Sequence, residues 1–372
     1  MTSETSGRDL LRTASLAGAT PLAGGNAAAA GAAEAIRRSR VRAALVALPV
    51  ALVALVALLA PLPASATFSI VARDSATGDL GVAVQSHYFS VGPIVPWAEP
   101  GVGAVATQSL VEVAYGPRGL EMMRSGRSAA QTLESLLHDD EYREVRQVAM
   151  IDARGDVAVH TGTKCIPDAG DHAGAQYSVQ ANLMANARVW PAMAKAYESA
   201  KGDLAERLLA ALEAGQKAGG DIRGQQSAAI VIVKGKRSNK PWADRVMDLR
   251  VEDNRAPIVE LRRLVGLWRA YRKCDEGDAF VTEGKVEEAM KSYAEAARLA
   301  PGNDELLFWQ AATLWKLGRR DEATPIFRKV FARDRRWVDL VPRLVPAELL
   351  EDDPAAIKKI QALAPGGRRA KR

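Results

Sequence analysis

The sequence predicts an α+β domain followed by a small all-α region. Three observations carry this. Strand-like segments come first, then a helical stretch, then strands, helices and strands again, which is a layered order and not a βαβ alternation. Beyond about Ile258 every periodic segment is helical. Within that helical part, Gly284 and Gly318, Ala289 and Ala323, and Tyr293 and Phe327 each stand 34 residues apart.

The elements follow in order. "TFSIVAR" (67–73) is β-branched and aromatic with partial alternation, "DSATGD" supplies a turn, and "LGVAVQS" (80–86) is the partner strand. "GVGAVATQS" (101–109) is a third strand, its small residues suited to close backbone packing. The stretch 117–140 is helical, with Ser128 and Gln131 at capping-box spacing. Residues 146–162 read as a hairpin around Ala153-Arg154-Gly155, and "QYSVQANL" (176–183) as a short strand. Two helices follow, 189–200 and 202–220, the second opened near Asp203 and closed by Gly219-Gly220. The strands "QQSAAIVIVKG" and "RVMDLRVED" end the domain. The 34-residue period, with Gly in the turn and small and aromatic residues in fixed slots, is the tetratricopeptide pattern. Two such units do not bury their faces alone. The helix 258–273 is therefore expected to cover them, and a last helix (353–363) precedes a basic tail.

Ahead of the first strand the chain has a different character. Arg37, Arg38, Arg40 and Arg42 lead an apolar run over 43–62, Pro61 and Pro63 break it, and Ala64-Ser65-Ala66 is an A-x-A cleavage site. Residues 37–66 thus read as a signal peptide, and 1–36 as a disordered or mis-started extension. Export to the periplasm or beyond follows; the alternative is an anchor formed by 43–62, since about twenty apolar residues span a bilayer. No Cys at the junction argues against a lipoprotein, and the Arg37-Arg38 pair matches twin-arginine export weakly. The domains expected are then 67–262, 263–345 for the repeats, and 346–372 for the closing helix and tail.

The formal charge of +6 is concentrated before the apolar run and in "GGRRAKR". With no helix-turn-helix, zinc spacing or stacking motif it points to no nucleic-acid partner. The 2 cysteines, Cys165 and Cys274, make no disulfide framework. With 4 histidines and no second matched pair, no metal site is expected, nor any cofactor. "GVGAVATQ" is not a phosphate loop.

Chemistry enters through Thr67. A hydroxyl is a poor nucleophile without a base beside it. An α-amine has a pKa of about 8. A threonine at a chain start therefore carries nucleophile and base in one residue, and cleavage after Ala66 would create it.

The segments "TFSIVARDSATGDLGVAVQS", "GVGAVATQ", "YGPRGLE", "QANLM", "LLAALEAGQKAGGDIRGQQSAA" and "VMDLRVED" resemble the DUF1028 family over about Thr67 to Leu264. The resemblance implies an N-terminal nucleophile hydrolase-like αββα sandwich, a family without settled activity, and a threonine exposed at the chain start. It implies a catalytic pocket at the Thr67 end. Ser86 stands at the end of the second strand, where a group orienting the amine is commonly found. Gln108 and Ser109 stand after the third strand, where an oxyanion donor sits, worth roughly 3–4 kcal/mol. The proteasome-type lysine is missing; "PWAEPGVG" with Glu99 stands there.

Other polar residues have two readings each. Arg73 and Asp74 bind substrate or make a turn ion pair. Gln180 and Asn182 line a pocket, or Asn182 caps the next helix. Asp221, Arg223 and Gln226 bind substrate or belong to an ordinary helix C-cap and loop. His87 is a proton shuttle or a solvated strand end.

The function expected is an exported amidohydrolase acting on a small amide or peptide, an enzyme of carbon–nitrogen bonds. The alternative is a non-catalytic envelope protein using the sandwich as a scaffold and the repeats to hold a protein or peptide partner. A homo-oligomer stays open.

Overall fold

The structure, a computed structural model, describes residues 66–366, all within one compact unit. The extension 1–36, the expected leader up to Ser65 with its apolar run 43–62, and the end of the basic tail lie outside the described residues.

The first two strands, β1 (Thr67–Arg73) and β2 (Leu80–Ser86), form an antiparallel hairpin in register from Thr67↔Ser86 to Arg73↔Leu80. Its turn is closed by Asp74, whose Oδ1 accepts the N–H groups of Ala76 and Thr77, both at 2.9 Å. An aspartate turned back on its own backbone in this way is a standard turn device. After β3 (Pro96–Glu99) and β4 (Gly103–Ser109) come helices α1 (Tyr115–Arg124) and α2 (Ala129–His138). The expected single helical stretch is thus two helices, broken where Gly126 takes a φ of +101°. Ser128 and Gln131 form the capping box in both directions, a feature worth about 1 kcal/mol.

The hairpin β5 (Arg146–Asp152) and β6 (Val157–Thr161) follows, then β7 (Gly170–Gly174) and β8 (Tyr177–Asn182). Helices α3 (Val189–Ser199) and α4 (Leu204–Lys217) come next, the latter N-capped by Asp203. Strands β9 (Ser227–Val233) and β10 (Arg245–Val251) complete the domain.

Two antiparallel sheets result, of order β10-β9-β2-β1-β8-β7 and β3-β4-β5-β6. Between them lies an aliphatic core that includes Val71, Val82, Ala106, Ile151 and Val231. The outer face of the six-stranded sheet, with Phe68, Ile70 and Val179, packs on α3 and α4. The outer face of the four-stranded sheet, with Val105, Val148 and Met150, packs on α1 and α2. Helices therefore cover both sides of a pair of stacked sheets, and the central strands β1, β2, β4, β5, β8 and β9 are buried on both faces. Burying one such side chain contributes about 1.5–3 kcal/mol.

The rest is helical: α5 (Pro257–Thr282), α6 (Val286–Leu299), α7 (Asp304–Lys316), α8 (Arg320–Arg333), α9 (Arg336–Leu340) and α10 (Pro354–Gln361). The repeat positions occupy matching places. Gly284 and Gly318 both have positive φ, 74° and 78°. Ala289 and Ala323 are fully buried, as are Tyr293 and Phe327 to within 1%. The expected boundary at 262 falls inside α5, which runs unbroken for 26 residues. Ile258, Leu261 and Val265 of α5 belong to the core beneath the six-stranded sheet, while Ala270 and Cys274 belong to a core shared with Tyr293 and Ala296 of α6. Outside the apolar seam, Arg262 bridges Glu206 and Glu213, and Arg269 reaches Asp203 and Glu206. Among the described residues no helix is long and apolar enough to cross a membrane.

Candidate functional site

The inward faces of the two sheets change character along their length. In β1 the inward positions run Thr67, Ser69, Val71; in β2 they run Ser86, Val84, Val82; in β8 they are Asn182, Gln180 and Ser178. This is the period-2 alternation of a strand, with the aliphatic residues at one end and hydroxyls and amides at the other. Thr67, Ser69, Ser86, Gln108, Gln147, Ser178 and Gln180 are all 0% exposed. Polar groups at that depth are tolerated only when paired, and here they are paired to one another.

Two chains of hydrogen bonds organise the cluster. In the first, Gln180 Nε2 donates to Ser69 Oγ (2.5 Å), and Ser69 Oγ donates to Gln108 Oε1 (2.6 Å). Gln108 Nε2 in turn donates to the Thr67 carbonyl (3.1 Å) and to Gln147 Oε1 (2.7 Å). Gln147 also accepts from Asn182 Nδ2 at 3.0 Å and donates to Thr161 Oγ1 and the Ala181 carbonyl, both at 2.9 Å. The second chain is short. Ser86 Oγ donates to the Ala66 carbonyl (2.5 Å) and lies 3.0 Å from Thr67 Oγ1. A hydroxyl has one proton, so with that proton on Ala66 the Ser86 oxygen receives the Thr67 proton. Direction is thereby fixed as Thr67 to Ser86 to Ala66.

A charged pair closes the same end. Gly219 and Gly220, at φ 139° and 61°, end α4 in conformations that glycine adopts without strain. The chain then turns so that Asp221 is buried with its side chain 0% exposed. Asp221 Oδ1 accepts the Arg223 N–H (2.9 Å) and Nε (3.2 Å), and Oδ2 accepts Arg223 Nη2 (3.0 Å) and the His87 N–H (2.8 Å). Arg223 Nη2 also donates to the Ala66 carbonyl at 3.0 Å. His87 presents a buried Nδ1 without a hydrogen-bond partner.

The structure brings Ser86, Gln108, Gln180, Asn182, Asp221 and Arg223 to Thr67. Gln226 enters through its backbone, donating its N–H to the Ser86 carbonyl and accepting from Asn254. Asn182 caps no helix: α3 begins at Val189 with Arg188 at its N-cap. The glycine pair does cap α4, so for Asp221 and Arg223 the loop reading and the pocket reading describe the same segment. Ser109 is not brought in. At φ 73° it ends β4 beside Cys165, whose thiol is pushed up by burial and partly drawn back by a hydrogen bond with Ser109. Arg73 and Asp74 are also elsewhere. They end a seven-residue strand, roughly 20 Å from its start at about 3.3 Å per residue. There Arg73 holds the Ala153 carbonyl and Gln176 Oε1. Asp74 does close the turn, but the expected ion pair with Arg73 does not form: the cation beside Asp74 is Arg207, at 3.7 Å.

Gln147 was not among the sequence candidates. Its signal was present: it is the polar residue at an inward position of "RQVAMID", in line with Ala149 and Ile151. Among the described residues no cluster of three or more His, Cys, Asp or Glu could hold a metal ion.

The arrangement holds the Thr67 hydroxyl against Ser86, and through Ser86 and Arg223 it can polarise a carbonyl directly N-terminal to Thr67. The model of a family of unknown function, DUF1028, matches residues 67–261, just over half of the chain. No curated protein matches. The crystal structure of a protein from Silicibacter pomeroyi bearing the same family designation is similar, at 28% identity and a TM-score of 0.48, covering 54% of this chain and 84% of that one. Anbu (ancestral beta-subunit) from Yersinia bercovieri aligns at 11% identity and a TM-score of 0.27, over 54% of this chain and 93% of its own.

Proposed function

The chain belongs to the DUF1028 family, a family of unknown function, and on that premise we propose that it is an exported amidohydrolase working through Thr67 as its first residue. The observation that carries the reading is the hydroxyl chain from Thr67 through Ser86 to the Ala66 carbonyl. Once the bond after Ala66 is cut, the Thr67 nitrogen becomes an amine able to take the hydroxyl proton. Thr67 Oγ1 then attacks the carbonyl carbon of an amide. An ester to Thr67 forms, the carbon–nitrogen bond breaks, and the proton leaves with the amine. Water cleaves the ester, giving a carboxylate and restoring the hydroxyl. Helices on both outer faces of two stacked sheets support reading the domain as an N-terminal nucleophile hydrolase-like sandwich, a setting in which this chemistry is at home.

The junction bears on how the site is switched on. Ala66 and Thr67 are both 0% exposed, so an external peptidase reaches the bond between them only before the domain folds. Cleavage during export, at the A-x-A site, meets that condition.

N-terminal sequencing of the exported protein is expected to read Thr-Phe-Ser-Ile. An electrophilic probe is expected to esterify that protein, to esterify Thr67→Ser, and to leave Thr67→Ala unlabelled. A mature terminus elsewhere, or full amide hydrolysis by Thr67→Ala, refutes the reading.

A second reading, a non-catalytic envelope scaffold, is favoured by one feature. A hollow of about 530 Å³ among the helices is lined by Val281, Trp309, Ala312, Leu317 and Leu349, with Lys316 and Asp278 at hand. It suits a peptide laid along tetratricopeptide-like repeats.

A further inference from the structure

Arg223 and Ser86 converge on a single oxygen. It is the carbonyl oxygen of Ala66, reached by Nη2 at 3.0 Å and by Oγ at 2.5 Å. The carbon bearing that oxygen is the acyl carbon bonded to the Thr67 nitrogen. Ala66 therefore stands, in the intact chain, where an acyl group next to the Thr67 hydroxyl must stand.

Neither donor depends on Ala66 for its position. Ser86 ends β2, in register with Thr67 on one side and Ser227 on the other. Arg223 is gripped at three points by Asp221, whose carboxylate is itself buried and held by the His87 N–H. A guanidinium oriented in this way is preorganised, which lowers the cost of binding. When the chain begins at Thr67, the acyl group departs and both donors remain.

We infer that this is an acyl subsite, and that it takes a small, uncharged acyl residue in peptide-like linkage and releases it as a carboxylate held by Arg223 and Ser86. Small size follows from Ala66, which is 0% exposed and belongs to the same apolar cluster as Phe68 and Met184. Holding a carboxylate follows from charge. Asp221 and Arg223 neutralise one another, and cleavage adds a new α-ammonium on Thr67 beside them. The product carboxylate thus meets a guanidinium fork and an ammonium, with charge-assisted bonds to both. The inference rests on Thr67 as the chain start and adds what the site accepts.

The test is a calorimetric titration with N-acetyl-L-alanine on two forms: the intact chain, and a chain released with Thr67 first. The second form keeps its cores, since among the described residues of the buried clusters only Ala66 precedes Thr67. Binding is expected for the Thr67-first chain and not for the intact chain, whose own Ala66 fills the site. N-acetyl-L-phenylalanine and the Arg223→Gln variant are each expected to weaken binding at least about tenfold, as loss of fit or of a charge-assisted partner does. Arg223→Lys keeps charge without the fork and should fall between. Equal binding by both forms, no binding by either, or undiminished binding by Arg223→Gln overturns the inference. The two readings fail separately. Binding with no hydrolysis of any amide sinks the hydrolase and keeps the subsite; unchanged hydrolysis by Arg223→Gln sinks the subsite and keeps the hydrolase.

Discussion

The hydroxyl of Thr67 lies 3.0 Å from the hydroxyl of Ser86, and because Ser86 spends its proton on the Ala66 carbonyl the Thr67 proton points toward Ser86. Replacing Ser86 by Ala removes both the acceptor and one of the two donors to the acyl oxygen. In a Thr67-first chain, Ser86→Ala is expected to lower kcat for amide hydrolysis by about 10²–10³, the usual loss on removing one oxyanion donor. Steady-state kinetics check this, with circular dichroism confirming the fold. In the same kinetics kcat/KM for the unaltered chain should rise with pH through about 7–8, as the α-amine loses its proton.

Gln147 makes bonds to Gln108, Asn182, Thr161 and the Ala181 carbonyl from a fully buried position. Gln147→Leu orphans several of these at once. It is expected to cost about 2–4 kcal/mol, summing more than one unsatisfied partner at about 1–3 kcal/mol each. A urea midpoint shifted by less than that equivalent would show that the network relaxes around the loss.

Gln85 is the opposite case. It is 0% exposed, its neighbours Phe68 and Ala228 belong to the apolar layer over the helices, and neither atom of its amide has a partner. Gln85→Met conserves shape and removes an unpaired amide. The variant should be more stable by about 1–2 kcal/mol, read as a higher urea midpoint with unchanged slope; a lower midpoint refutes it.

Asp140 receives Arg146 Nε at 2.9 Å and the Tyr142 N–H at 2.8 Å. Burial, the largest influence, raises its carboxyl, but the bonds and charge of Arg146 with the Tyr142 and Tyr115 bonds outweigh it and hold the carboxyl below the ordinary 3.8. A depressed folded value means the stabilisation is fully present above the unfolded value and is lost as pH falls through the folded one. Asp140→Asn is therefore expected to lose about 1–3 kcal/mol near neutral pH, with the gap to the parent narrowing below about pH 4. Thermal melts from pH 3 to 7 measure the gap.

At Gly284 and Gly318 an added Cβ meets nothing within 4 Å, yet both have positive φ. Ala at either position should cost about 1 kcal/mol from backbone strain alone, and equal costs at the two sites would reflect their equivalent places in the repeat.

Local signals made much of this legible. The capping box at Ser128 and Gln131, the hairpin at Ala153-Arg154-Gly155 and the glycine slots of the repeat are short-range patterns with one stereochemical reading each. Strands β3 and β7 were not legible. Pro96–Glu99 is four residues long, and Gly170–Gly174 reads "GDHAG", with little strand preference. Pairing with β4 and β8 recruits them, and that is a tertiary effect. At the site, the family resemblance pointed to Ser86 and Gln108 as neighbours of Thr67. Arg73 and Asp74 were left with two readings, although a strand over 67–73 already sets Arg73 about 20 Å from Thr67. Arg223 reaches Ala66 across 157 residues, a distance no local pattern spans.

Helix α5 has its first turns in one hydrophobic core and its later turns in another. Two hydrophobic cores are here joined along a common rod. A gene cut at the family boundary near residue 261 would strip Val265 from the sandwich core and sever the rod between Leu261, which stays with the sandwich, and Ala270 and Cys274, which stay with Tyr293 and Ala296. Any recombinant version meant to preserve either half should keep the rod whole, through Thr282.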